Sequence, residues 1–118
     1  MERRRSIAQR YRAGLAGLPL ALPVELKGCR HVYHLFVVRS DRRDALARYL
    51  DRNGISTGIH YPHAVHTQPG FRAKSRVAGS LQTTEAVVEE ILSLPIYPSL
   101  SDESQERIIG SIRQFFAR

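Results

Sequence analysis

The sequence predicts an α+β domain, in which a small sheet of about three short strands is packed by about four helices, with a small α/β sandwich as the alternative. Apolar residues recur at helical spacing in four segments, near residues 2–17, 41–53, 83–92 and 101–116. Between them lie short segments rich in β-branched and aromatic residues, led by His31–Val38. The length, 118 residues, suffices for one domain and not for two.

In the first helix, over 2–17, Ile7, Ala8, Tyr11, Leu15 and Leu18 lie near one face, while Arg3, Arg4, Arg10 and Arg12 fall largely elsewhere. Pro19 and Pro23 then break the pattern, and Gly28 ends a short extended connection. That break sets the first helix apart from the rest, as a candidate to pack on something outside this chain. His31–Val38 (HVYHLFVV) reads as a strand that is apolar on both faces, hence central and covered on both sides, with His34 a structural histidine within it. Ser40 or Asp41 caps a second helix to about Asn53, whose buried stripe is Ala45, Leu46, Tyr49 and Leu50. Gly54 is placed to close it in the left-handed conformation. Ile55–Ile59 reads as a short strand running into a proline-rich loop, and 71–82 as an exposed polar loop. Thr83 or Thr84 caps a third helix through about Leu92, with Val87, Val88, Ile91 and Leu92 inward. Ser93–Tyr97 is a brief extended segment that Pro95 demotes to an edge strand or connector. Ser101 is the N-cap of the last helix, Asp102 and Glu103 complement its dipole, and Ile108, Ile109, Ile112, Phe115 and Phe116 form its stripe.

Composition narrows the function classes. The single Cys29 forms no internal disulfide, no apolar run reaches the length of a membrane span, and the basic start lacks the apolar core of a secretory signal. The expected location is cytoplasmic, away from membranes. A net charge of +7 comes almost wholly from arginine, with lysine only at Lys27 and Lys74. Such a balance favours anionic partners. The arginines are scattered, however, and the aromatic platforms and Gly-basic motifs of RNA-binding modules are missing, so a nucleic-acid role is disfavoured.

The stretch His60–Phe71 (HYPHAVHTQPGF) holds the candidate site residues. Pro62 and Pro69 exclude a helix interior and stiffen a loop that carries imidazole and phenol groups. As metal ligands, His60, His63 and His66 have the right chemistry, but Pro62 opposes the coil that would make them converge and no neighbouring Asp, Glu or Cys completes a set, so no metal is expected. As proton-exchanging or hydrogen-bonding groups, His60 and Tyr61 are candidates to face a substrate. Nucleophile elbow, phosphate loop and dinucleotide fingerprint are all lacking, and no residue is assigned a catalytic role.

Read in order, HVYHLFVV, RRDALARYLDRNGISTGIHYPHAVHTQPGF and TTEAVVEEILSLPIYPSLSDESQERIIGSI resemble the C-terminal part of the DegT/DnrJ/StrS-type sugar aminotransferases, from about Arg4 to Phe116. His60, Tyr61, Pro62, His66, Gln68 and Pro69 match the family run HYPxPxHxQPAY, with Ala64 in place of its second proline and Gly70-Phe71 in place of Ala-Tyr. Leu92, Ser93, Leu94, Pro95, Tyr97, Pro98 and Leu100 match LSLPMYPxL, with Ile96 for methionine.

The resemblance implies the small C-terminal domain of a fold type I, pyridoxal-phosphate-dependent enzyme that moves an amino group from an amino-acid donor to a keto-sugar. Residues 1–118 are then that one domain, and the large N-terminal domain that binds the cofactor is absent. By the same resemblance, His60, Tyr61 and, less directly, His63 line the nucleotide-sugar side of a cleft at a dimer interface, so the expected partners are the nucleotide-sugar and either a second copy or the missing domain. Lys27 and Lys74 sit in settings that would not desolvate an amine, so no covalently bound cofactor is expected on this chain. The second reading of the sequence is a non-catalytic basic module that associates with a partner domain or an anionic ligand.

Overall fold

The computed structural model describes residues 1–118. The chain forms helices α1 (Glu2–Gly14), α2 (Arg43–Arg52), α3 (Pro69–Arg72), α4 (Gln82–Glu90) and α5 (Asp102–Phe116), and strands β1 (Phe36–Arg39) and β2 (Ile91–Leu94). The class is α+β, as the periodicities predict. The sheet is smaller than expected: β1 and β2 pair antiparallel with Phe36 opposite Leu94 and Arg39 opposite Ile91. The predicted strand at 55–59 contributes one bridge, Gly58 to Ser93, and Ala21 makes another to Arg39. These bridges flank the pair on either edge. No helix is long and apolar enough to cross a membrane.

The first helix does not turn to an outside partner. Ile7, Ala8, Tyr11 and Leu15 are fully buried within the chain's own core, beside Phe36, Leu46 and Ile112. Each large apolar side chain removed from water in this way contributes roughly 1.5–3 kcal/mol. Polar contacts set the docking. Tyr11 Oη donates to the Pro95 carbonyl at 2.8 Å, and Gln105 Nε2 donates to the Ile7 carbonyl at 2.7 Å. Arg4 donates to the carbonyls of His34 and Ile96, both at 2.9 Å. Burial holds the Tyr11 phenol far above its ordinary pKa, so it stays a donor. At the far end, a Cβ on Gly14 would lie 2.8 Å from Ile109 side-chain atoms, so glycine allows α1 and α5 to approach.

The strand expected from His31 begins only at Phe36. The Tyr33 amide donates to its neighbour's ring, His31 Nδ1, at 2.8 Å, and Tyr33 takes a φ of 49°, which breaks the extended run. Tyr33 is buried and His34 is exposed, so His34 is not the structural histidine the alternation suggested. Upstream, Arg5 and the His31 amide both donate to the Glu25 carboxylate, and Arg5 first and the His31 amide next hold that carboxylate below its usual range.

The local signals at α5 and at the end of α2 are realised, but the start of α2 is not as predicted: its N-cap is Arg42 with no side-chain cap, so neither Ser40 nor Asp41 caps it. Ser40 Oγ accepts from the Arg42 amide just ahead of α2, and Gly54 follows it at φ 70°. Ser101 Oγ accepts from the Ser104 amide at 3.1 Å and caps α5. Between them the boundary moves: α4 stops at Glu90, and Ile91 and Leu92 are buried as strand, not as helix. All four residues of β2 are buried, and its edges are paired by β1 on one side and the Gly58 bridge on the other. Arg43 reaches across and donates to the carbonyls of Val88 and Ile91, tying α2 to this junction.

Candidate functional site

Gly58 lies against β2, exchanging two backbone hydrogen bonds with Ser93 at 3.1 and 2.7 Å. A Cβ on Gly58 would meet the His60 ring at 2.8 Å, so glycine clears the space into which that imidazole folds. There His60 Nδ1 and Ser93 Oγ lie 2.9 Å apart, and Ser93 is buried. The sheet thus fixes one ring nitrogen of His60 and leaves the other for a second partner.

From His60 the chain turns outward. Tyr61 stands edge-on to His60, ring centroids 5.7 Å apart and planes at 77°. Ala64 is buried, and its carbonyl accepts both the Thr67 amide at 3.1 Å and Thr67 Oγ1 at 2.8 Å, forming a single 3-10 turn over Val65–Thr67. Pro69 opens the one-turn helix α3, where its missing N–H costs nothing. His66 Nε2 lies 2.9 Å from Glu85 Oε1, which fastens the loop to α4. The loop is therefore held at three inward points, His60, Ala64 and His66.

Its outward residues are solvent-facing: Tyr61 is 72% exposed, Val65 65% and Phe71 51%. Tyr61 and His63 form the wall between two clefts. One, of about 400 Å³, is completed by Pro62, Gln68, Pro69, Gly70 and Phe71. The other, of about 390 Å³, runs under His60 against Thr83, Thr84, Val87, Val88 and Ile91 of the α4–β2 junction. The three residues singled out from the sequence, His60, Tyr61 and His63, are thus brought together on one surface. The three histidines do not converge: His60 turns to Ser93, His66 to Glu85, and His63 is exposed.

Sequence reasoning missed Ser93 and Glu85 as the groups that position the loop. Ser93 could have been found, since it sits in the LSLPIYP run between inward leucines; nothing marks Glu85 among the glutamates of α4. Neither lysine approaches either cleft. Lys27 is exposed in the turn before Cys29, and Lys74 is exposed in the segment after α3.

Residues 1–113 match the profile of the DegT/DnrJ/EryC1/StrS aminotransferase family. The chain is similar to the dTDP-3-amino-3,4,6-trideoxy-alpha-D-glucose transaminase of Micromonospora megalomicea subsp. nigra, 46% identical over 116 residues that cover 94% of this chain and 31% of that protein. Among solved structures, Streptomyces venezuelae DesV in complex with a ketimine intermediate matches with a TM-score of 0.94 at 42% identity, over 99% of this chain and 32% of that one. NtdA from Bacillus subtilis with bound cofactor PMP matches with a TM-score of 0.83 at 28% identity, over 98% of this chain and 28% of that one. The chain spans 31% of the length of the curated relatives it matches first. The profile runs from the α1 arginines through the His60–Phe71 loop to α5, and the chain belongs to the DegT/DnrJ/EryC1/StrS aminotransferase family.

Proposed function

We propose that this chain is the C-terminal small domain of a pyridoxal-phosphate-dependent nucleotide-sugar aminotransferase, in which a large domain supplies the cofactor and its lysine. In this reading the His60–Phe71 loop covers the reaction cleft and lines its nucleotide-sugar side. The observation that carries the reading is the posture of that loop. It is fixed from within by Ser93, Ala64 and Glu85, yet it turns Tyr61, Val65 and Phe71 outward. A segment held in one shape before its ligand arrives loses less entropy on binding. Large apolar side chains held exposed in a cluster mark a surface made to be covered.

Pyridoxal phosphate supplies the electron sink for amino transfer when a domain that fits it is present. This chain's own residues bind and orient: Tyr61 and the free nitrogen of His60 offer hydrogen bonds to the sugar, and the loop keeps water from the cleft. The enzyme acts as a homodimer in the cytoplasm, with this domain near the subunit boundary.

The test is reconstitution. Co-expressing this chain with the N-terminal two thirds of the Micromonospora relative should yield transamination of a dTDP-keto-sugar, and Tyr61→Ala should depress it mainly through KM. Failure of a soluble, associated pair to turn over any such sugar would overturn the reading. So would a stoichiometric cofactor absorbance band in the isolated chain that disappears in Lys27→Ala or Lys74→Ala.

A further inference from the structure

The arginines that look scattered in the sequence are not scattered in the fold. Six of them, Arg3, Arg5, Arg10, Arg30, Arg39 and Arg43, each reach a carboxylate. Four others, Arg42, Arg48, Arg52 and Arg118, gather around one cleft of about 250 Å³ between α2 and the end of α5, floored by Ala45, Tyr49 and Phe115. None of the four side chains forms an ion pair, and no Asp or Glu side chain lines the cleft. It shares no residue with the clefts at Tyr61.

Two of the guanidinium groups are held in place by rings. Arg42 Cζ lies 4.4 Å from the centroid of Phe115, and Arg118 Cζ lies 5.1 Å from that of Tyr49. Cation–π stacking fixes a guanidinium's plane while leaving its N–H edges open. Ordinary solvated faces intersperse both signs of charge; four like charges around one small cleft repel each other, and a multivalent anion relieves that repulsion. Planar N–H forks suit the oxygens of phosphate. The two rings are already faced by arginine, so they do not offer a platform for a base.

We infer that the α2–α5 cleft is a binding site for the linked phosphates of an oligophosphate, read through Arg42, Arg48, Arg52 and Arg118 and indifferent to any base attached. The ligand can be an inorganic polyphosphate or the phosphate tail of a nucleoside triphosphate, which share this chemistry. The site is separate from the proposed sugar-facing loop and does not depend on that reading.

Calorimetric titration of the intact chain at low ionic strength tests it, with inorganic tripolyphosphate, orthophosphate, ATP and dTTP as probes. Tripolyphosphate should bind saturably, ATP and dTTP within a fewfold of it, and orthophosphate at least about tenfold more weakly. The double variant Arg48→Glu/Arg52→Glu reverses charge on exposed positions of α2 and should weaken tripolyphosphate at least about tenfold. Arg72→Glu/Arg76→Glu, equal in charge change but placed at the end of α3 and in the segment after it, should weaken it less than about twofold. Unfolding curves for both variants check that each is folded; should the α2 pair fail that check, Arg48→Gln/Arg52→Gln replaces it. Equal weakening by both pairs overturns the site as diffuse attraction. Loss of binding in Tyr61→Ala with retention in the α2 variant also overturns it, and places the anion at the sugar-facing loop instead. Absence of saturable binding by any probe, or binding to only one nucleotide, contradicts it.

Discussion

The helical body of this domain and its His60–Arg76 flank are built to opposite rules. In the body, α1, the β1–β2 pair and α5 enclose Tyr11, Phe36, Leu46, Leu92 and Ile112 almost completely, and long-range hydrogen bonds from Tyr11 Oη to the Pro95 carbonyl and from Gln105 Nε2 to the Ile7 carbonyl cross it, with Gln105 Oε1 left unpartnered. In the flank, residues 69–80 are exposed throughout, and neighbouring α4 contributes no fully buried side chain even though Val87 and Val88 face inward. The lesson is that the same chain satisfies one surface internally and leaves another shaped but uncovered. Buried contacts concentrate in the first, and the recognition proposed for this domain is assigned to the second.

The sharpest way to break that comparison is to truncate both regions alike. Ile112→Ala and Leu46→Ala empty fully buried positions and should each cost about 2–5 kcal/mol in urea unfolding. Tyr61→Ala removes a larger side chain from the surface and should stay within about 0.5 kcal/mol. A Tyr61 effect as large as the Ile112 effect would erase the distinction. Next in size is Gly14→Ala, whose new methyl would press on Ile109 at 2.8 Å; overpacking of this kind costs about 1–3 kcal/mol, read as a lower melting temperature. Ser101→Ala removes the α5 cap and should cost about 1 kcal/mol. Ser93→Ala should have a comparable global effect, about 0.5–1.5 kcal/mol. Its diagnostic consequence is local: the His60 ring resonances should broaden or shift while α5 is unmoved.

The smallest expected effect comes from acid. Glu25 is held below its ordinary value of 4.5, first by the Arg5 hydrogen bond, and Asp102 below 3.8, first by Arg3. A carboxylate whose folded pKa is depressed stabilises the fold above its unfolded pKa and loses that contribution as pH falls through the folded value. Stability should therefore be level with respect to these groups above pH 4.5 and fall below it, and Glu25→Gln should flatten part of that fall. A fall that begins well above that value and is unchanged by Glu25→Gln would contradict the assignment.

How much was legible follows from how local each signal is. The Ser101 cap, the α5 stripe and the Gly54 stop depend on residues within a few positions of each other, and all three appear as read. The docking of α1 does not. It rests on Arg4 reaching Ile96 and Gln105 reaching Ile7 across more than ninety positions, which periodicity cannot see. The β1 strand was read too long because the alternation in HVYHLFVV is interrupted by a hydrogen bond between Tyr33 and the His31 ring. The third strand shrank to the Gly58 bridge, since the chain leaves the sheet after His60 and carries Tyr61 outward. At the site, His60, Tyr61 and His63 were named from residue chemistry and family motif, and the structure sets them on one surface. The supports of the loop went unread: Ser93, though the LSLPIYP run marks it, and Glu85, which nothing marks; both lie about twenty to thirty residues further along than the histidines they hold.

The central claim is that the His60–Phe71 face is made to be covered by a domain that bears the cofactor. Hydrogen–deuterium exchange on this chain, alone and then with the N-terminal two thirds of the Micromonospora relative, tests it most directly. The account predicts slowed exchange at residues 60–72 and in α4, with the amides of α1 and α5 unchanged. Slowed exchange confined to α1 or α5, with the loop unaffected in a demonstrated complex, would contradict it.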